Sequence, residues 1–178
     1  RLGVDRQGAF LAEAAAQGLD RRVAVAAARL ATRAEIEGLH SADHVNWVEI
    51  RSRIGEGYLD YGDTPAFPGC YEIASAVAGT ALEGLERIMS GQAVRSVQAI
   101  GGLHHARRSR SAGFCVFNDL GVVIDSLRSR FGIARIGYVD IDVHHGDGIY
   151  YPYEADPELI VVDIHEDGRF LYPGTGHA

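Results

Sequence analysis

Apolar residues recur every three or four positions through the first half of the chain and gather into short continuous runs in the second half. The first rhythm predicts helices and the second predicts buried strands. An alanine-rich helix is expected over residues 8–17, closed by Gly18, and a buried strand over 23–28. Thr32 and Glu35 stand at capping-box spacing, which opens a short helix running to about Leu39. Ser41 caps the next helix, over 42–53, with Val45, Val48 and Ile50 turned inward. Residues 54–69, rich in glycine and proline, read as a loop. Ile73, Val77, Ala81, Leu85 and Ile88 then mark one face of a long helix over 70–89, ended near Gly91.

The second half reads as strand over 94–100, helix over 115–130, strand over 136–142 and strand over 159–164. Leu120, Val123, Ile124 and Leu127 form the apolar side of the helix, and the last run is apolar enough to be buried on both faces. Strand, helix, strand in that order implies parallel pairing through right-handed crossovers, so the class is α/β. No repeat or linker divides the chain, and its length suits a single core.

Three polar clusters follow those strands: His104-His105, the block from Asp140 to Gly148, and Asp163-Ile164-His165. Ligands of open parallel sheets bind beyond the carboxyl ends of the strands, so the clusters are expected to meet in one crevice. Grouping so many ionisable side chains is costly unless they neutralise one another or hold a metal. Alternation along an extended strand sends Asp140, Asp142 and His144 to one side and Ile141 and Val143 to the other. Asp142 and His144 then suit one Zn²⁺ or another divalent first-row metal. His40, His44 and His177 stand in segments that capping and turn chemistry already explain, and Arg107-Arg108-Ser109-Arg110 reads as a solvated loop.

Composition narrows the function classes. A formal charge of −7 disfavours nucleic acid as the main partner, because that binding neutralises phosphates. All 17 basic residues are arginine, which we read as a compositional bias. Two cysteines offer no disulfide framework, and no apolar stretch is long enough for a membrane span, so a reducing cytoplasm is the default expectation. The chain begins on Arg1 and runs out in a turn-rich loop, so more polypeptide is expected at both ends.

Gly101-Gly102-Leu103-His104-His105-Ala106, the stretch from Ser111 to Asp119, the Asp140 to Gly148 block and Tyr172-Pro173-Gly174-Thr175-Gly176 resemble, in order, signatures of the histone deacetylase superfamily. The form is similar to the class I and bacterial acetoin-utilisation branches, and it covers about Asp63 to the C-terminus. The resemblance implies part of an arginase-deacetylase-type fold, a mainly parallel sheet with flanking helices, with residues 1–178 as one partial domain whose C-terminal portion is missing. It also implies zinc-dependent removal of an acetyl group from acetyl-lysine or a small acetylated amine. Asp142 and His144 would be two of three metal ligands, the third lying beyond Ala178 together with a transition-state tyrosine. His104 would pair with Asp140 and His105, the better general base, with Asp147. Phe114 and Tyr172 would wall a narrow tunnel lined by the Gly113 backbone, with Asp63 at its rim holding substrate. Asp140, Asp142, His144, Asp163 and Ile164 would surround a structural monovalent cation, K⁺. Without the missing groups, residues 1–178 alone are expected to be inactive or nearly so. Two alternatives stand beside this reading: a shortened, noncatalytic binding or scaffold protein, and a two-metal ureohydrolase, which needs more bridging carboxylates than Asp142-Val143-His144 supplies.

Overall fold

A computed structural model describes residues 5–177. Six helices and two strands follow in the order α1 (Arg6–Ala16), α2 (Arg33–Leu39), α3 (Ala42–Ile54), α4 (Cys70–Met89), α5 (Asp119–Phe131), β1 (Ile136–Asp140), α6 (Asp147–Tyr153) and β2 (Leu159–Asp163). The capping box forms as the spacing predicts: Thr32 Oγ1 accepts from the Glu35 N–H, and the Glu35 carboxylate accepts from the Thr32 N–H at 2.7 Å. Ser41 caps α3, which Gly55 ends in the left-handed conformation.

The core lies where α2, α3, α4 and α5 converge, with Ile36, Val45, Val48, Leu82, Phe117 and Val122 buried together. Removing a side chain such as Leu82 from this packing costs about 2–5 kcal/mol. Along α4 the buried stripe runs through Ala74, Val77, Ala78, Leu82 and Leu85, whereas Ile73 and Ile88 are exposed, as is Ile50 on α3. Small residues set that rotation of the helix. A Cβ on Gly79 would stand 2.2 Å from the Arg29 carbonyl oxygen, so α4 presses its small face against residues 29–31.

β1 and β2 pair in parallel, with Asp140 opposite Asp163 at their carboxyl ends. This two-stranded sheet is smaller than the periodicity predicts. Residues 23–28 and 94–100 form no strand, and Val25, Val94 and Val97 are each more than 80% exposed. An apolar run becomes a strand only when a neighbouring backbone takes up its N–H and C=O groups, and among the described residues neither run has one. The expectation that 159–164 is buried on both faces fails for a related reason. Leu159 packs into the core, but Val139, Ile141, Ile160, Val162 and Ile164 are exposed, because among the described residues only one face of the sheet is covered.

α5 starts at Asp119 rather than Cys115. The Asn118 side chain accepts from the Gly121 N–H as N-cap, while Ala112 and Cys115 close a tight antiparallel bridge just before it. β1 ends at Asp140 rather than Asp142, because the Asp140 and Asp142 carboxylates each accept the backbone N–H two residues on and turn the chain out of the strand.

Candidate active site

Two elements bring the histidines and acids together. The turn carrying His104 and His105 follows no strand, so only two of the three polar clusters sit at strand ends. It is anchored by the buried Asp119 carboxylate, which accepts from the N–H groups of Gly102 and Leu103. The N-terminus of α6 lies against it, and the Gly148 N–H donates to the His104 carbonyl at 2.9 Å. A Cβ on Gly148 would come within 2.3 Å of that oxygen.

Each histidine faces a buried carboxylate. His104 Nδ1 lies 2.6 Å from Asp140 Oδ2, and His105 Nδ1 lies 2.8 Å from Asp147 Oδ1. Both Nδ1 atoms must therefore carry hydrogens. The two Nε2 atoms approach to 3.2 Å, close enough for one to donate to the other when either carries a hydrogen. Burial opposes charge on His104, but the Asp140 hydrogen bond and the charges of Asp140, Asp142 and Asp163 outweigh it and raise its proton affinity. Of the two rings, His104 is thus the one whose surroundings favour the charged form. Asp140 stays ionised despite burial, at about 2, because His104, Tyr138 and the Asp142 N–H all donate to it. Asp147 is likewise held below the usual range: burial works against this, and His105 and Arg107 overcome it.

Asp142 and His144 lie beside this pair on more open ground, with His144 Nδ1 2.8 Å from Asp142 Oδ1. Their rings and carboxylate do not alternate along a strand as expected, yet the two donor atoms still converge. The His144 ring stands 5.8 Å from that of His105 and 6.5 Å from Tyr172, centroid to centroid. Bonded to each other as they stand, an exposed carboxylate and an imidazole supply the donor types for part of a divalent-metal set, which in catalytic zinc sites has three protein ligands. Among the described residues no group of three His, Cys, Asp or Glu side chains gathers to complete one.

Tyr172 meets the His105 ring edge-on at 5.0 Å, and its hydroxyl is pushed up to about 12, by burial first and then by Asp147, Asp63 and Asp60. Gly113 fits between them: a Cβ there would lie 2.5 Å from the His105 ring and 2.8 Å from that of Tyr172. Phe114 is exposed and adopts a positive φ of 65°, a strained conformation for a side chain of that size that costs about 1–3 kcal/mol and clusters at functional sites. Its N–H donates to Thr64 Oγ1. Thr64 is in turn fixed by Asp60, whose Oδ1 accepts from the N–H groups of Gly62, Asp63 and Thr64. Asp63 gives its backbone N–H to that cradle, and its carboxylate is near enough to Tyr172 to help raise that hydroxyl. Asp163 and Ile164 close on the same region: the Ile164 N–H donates to the Asp140 carbonyl, and the Asp163 carboxylate bridges the Gly146 N–H and His165 Nδ1.

Several contributors escaped the sequence reading. Tyr138 donates to Asp140; its place two residues earlier on the same face of β1 was the available signal. Arg107 is no solvated loop residue, since its guanidinium binds Asp147, and Arg108 reaches the Leu39 carbonyl. His145 contacts Thr175 and stacks on His165, tying the Pro173-Gly174-Thr175 turn to the site. His40 and His44 do stand in capping segments, His40 as the C-cap of α2 and His44 giving its N–H to Ser41, and their rings are buried supports as well. They bind the carbonyls of Arg107 and Val116.

The chain that carries these two carboxylate-backed histidines and the adjacent acid-histidine pair has relatives among known proteins. Residues 4–178 match the histone deacetylase domain, and the chain belongs to that family. It is 39% identical over 155 residues to the acetoin utilization protein AcuC of Bacillus subtilis (strain 168), covering 83% of this chain and 40% of that protein. It is 32% identical over 168 residues to histone deacetylase 8 of Xenopus tropicalis, covering 90% of this chain and 45% of that one. The crystal structure of the HDA15 HD domain superposes with a TM-score of 0.87 at 29% identity, over 98% of this chain and 50% of that one. The fold is therefore of the arginase-deacetylase type, and the chain spans less than half the length of the curated relatives named here.

Proposed function

We propose that this chain carries the proton-handling part, and two metal ligands, of a zinc-dependent deacetylase that releases acetate from acetyl-lysine or a small acetylated amine. The observation that carries the reading is the pair of adjacent histidines, each backed by its own buried aspartate, beside the convergent Asp142 and His144 donors. Asp142 and His144 would hold the metal, which when bound acidifies water and polarises an acyl oxygen. His105 accepts a proton at Nε2, and its hydrogen bond to Asp147 fixes the tautomer that leaves this nitrogen free. His104, whose proton affinity Asp140 raises, would supply positive charge beside the reacting centre and a proton for the departing amine. Phe114, Gly113 and Tyr172 would guide an alkyl chain to that point, with Asp63 holding the substrate backbone at the rim. Asp140, Asp142, His144, Asp163 and Ile164 would surround K⁺, and the domain would operate in the cytoplasm.

Among the described residues no helix is long and apolar enough to cross a membrane. The name of one relative, histone deacetylase 8, supports the reaction class, and the short span against both relatives supports a further part that supplies the third ligand. One observation favours the alternative of a noncatalytic binding protein: among the described residues the metal set has only two members. Metal content and acetate release from an acetyl-lysine peptide, measured on residues 1–178 and on the longest protein containing them, separate the two. One metal per chain and activity in the longer protein, with little of either in the shorter, is the expected result. Robust activity from residues 1–178 alone would overturn the placement of the missing groups, and an inactive, metal-free longer protein would overturn the enzyme.

A further inference from the structure

We infer that Arg107 is a positioning residue of the active site, holding Asp147 so that one oxygen alone faces His105 and the His105 ring keeps its proton on Nδ1. The inference rests on the deacetylase reading for its catalytic consequence, while the geometry behind it is independent of that reading.

The two histidine-carboxylate pairs look alike until their outer partners are compared. Asp140 is completed by neutral donors, the Tyr138 hydroxyl and the Asp142 N–H. Asp147, 2% exposed, is completed by a cation: Arg107 reaches its Oδ2 through Nη2 at 2.5 Å and Nε at 3.2 Å. Oδ1 is left to His105 Nδ1. The fork of two guanidinium N–H groups on one oxygen stops the carboxylate from rotating, which a single neutral donor would do poorly.

Arg107 is itself held at both ends. Its carbonyl accepts from His40 Nδ1 at 2.9 Å, and its N–H donates to the Arg110 carbonyl. Its guanidinium lies 5.3 Å from the centroid of the Tyr151 ring, one turn along α6 from Asp147. The side chain thus spans from the loop carrying the histidines to the helix carrying the aspartate, and ties the relative position of the two. Without it, a buried oxygen of Asp147 loses its partners and either oxygen can turn toward His105. The ring then loses the fixed Nδ1–H donor arrangement on which a free Nε2 depends.

The test compares the parent with Arg107→Ala, Arg107→Gln and Arg107→Lys in the longest protein containing this sequence. Removing a group that orients a ligand or catalytic histidine costs about 10- to 100-fold, and here the loss is expected in kcat, with KM changed less than about threefold. Arg107→Gln should match Arg107→Ala, and Arg107→Lys should recover part of the rate, because an ammonium keeps the charge beside Asp147 without the two-pronged grip. An unchanged kcat in Arg107→Ala, or a lysine variant no faster than the glutamine one, overturns the inference. The second readout is nitrogen NMR of the His105 ring in residues 1–178, which needs no activity. The parent should show one tautomer, protonated at Nδ1, and Arg107→Ala a mixture; the same single tautomer in both overturns the inference. If the unsubstituted longer protein releases no acetate, the deacetylase reading fails, and the tautomer measurement still decides the role of Arg107.

Discussion

His40 accepts the Asn118 N–H at Nε2 and donates from Nδ1 to the Arg107 carbonyl, so one neutral ring joins the two ends of the loop that leads into α5. Burial first, and then the neighbouring His44, lowers its proton affinity to about 3, and burial lowers that of His44 as well. The sign follows from linkage. A histidine whose folded value is depressed contributes stability that is complete above its unfolded value near 6.5 and is lost as pH falls toward the folded one. Each such group withdraws up to about 1.4 kcal/mol per pH unit in that window. Urea unfolding of the parent should therefore weaken between pH 6.5 and 4.5, and His40→Gln should flatten the slope by close to one proton while lowering stability at pH 8. Equal slopes for the two proteins would show that His40 does not stay neutral when folded. Sequence placed His40 in a capping segment, and it does end α2, but the cause of its burial was hidden. A lone histidine carries no mark of a carbonyl 67 residues away.

At the scale of elements, what was legible in the sequence is local and what was not is tertiary. The capping box at Thr32, the Ser41 cap and the ends of α4 depend on neighbours within a few residues, and they form where expected. The strand expected over 94–100 depends on a partner elsewhere and does not form. The same distinction applies to the site: Asp142 and His144 converge across two residues, whereas the link from His104 to Asp140 spans 36 and needed the family resemblance to suggest it. The contact between α6 and the histidine turn offers a test of element docking. Gly148→Ala places a methyl against the backbone oxygens of His104 and Ala106, neither of which can move without shifting His104 and His105. It should lower the melting temperature by several degrees, since overpacking of this kind costs about 1–3 kcal/mol. It should also broaden the ring signals of both histidines. A variant as stable as the parent, with unchanged histidine signals, would mean that α6 does not set their position.

At the scale of the whole molecule, the dominant feature is the bare side of the β1–β2 sheet. Val139, Ile141, Ile160, Val162 and Ile164 form an exposed β-branched surface with no charge among them. Such surfaces and unpaired strand edges associate readily. Residues 1–178 should sediment with an apparent mass that rises with concentration and is not reduced by salt, and Ile160→Lys with Val162→Glu should restore a single light species. A parent that stays monomeric at high concentration would count against this. The same two strands carry Asp140 and Asp163 at their tips. At those tips Asp140 is gripped by His104 and Tyr138, and Asp163 by the Gly146 N–H and His165. A sheet clamped at its tips passes any load on its open face to the clamp, so what packs against Val139 and Val162 bears on how squarely His104 and Asp140 meet.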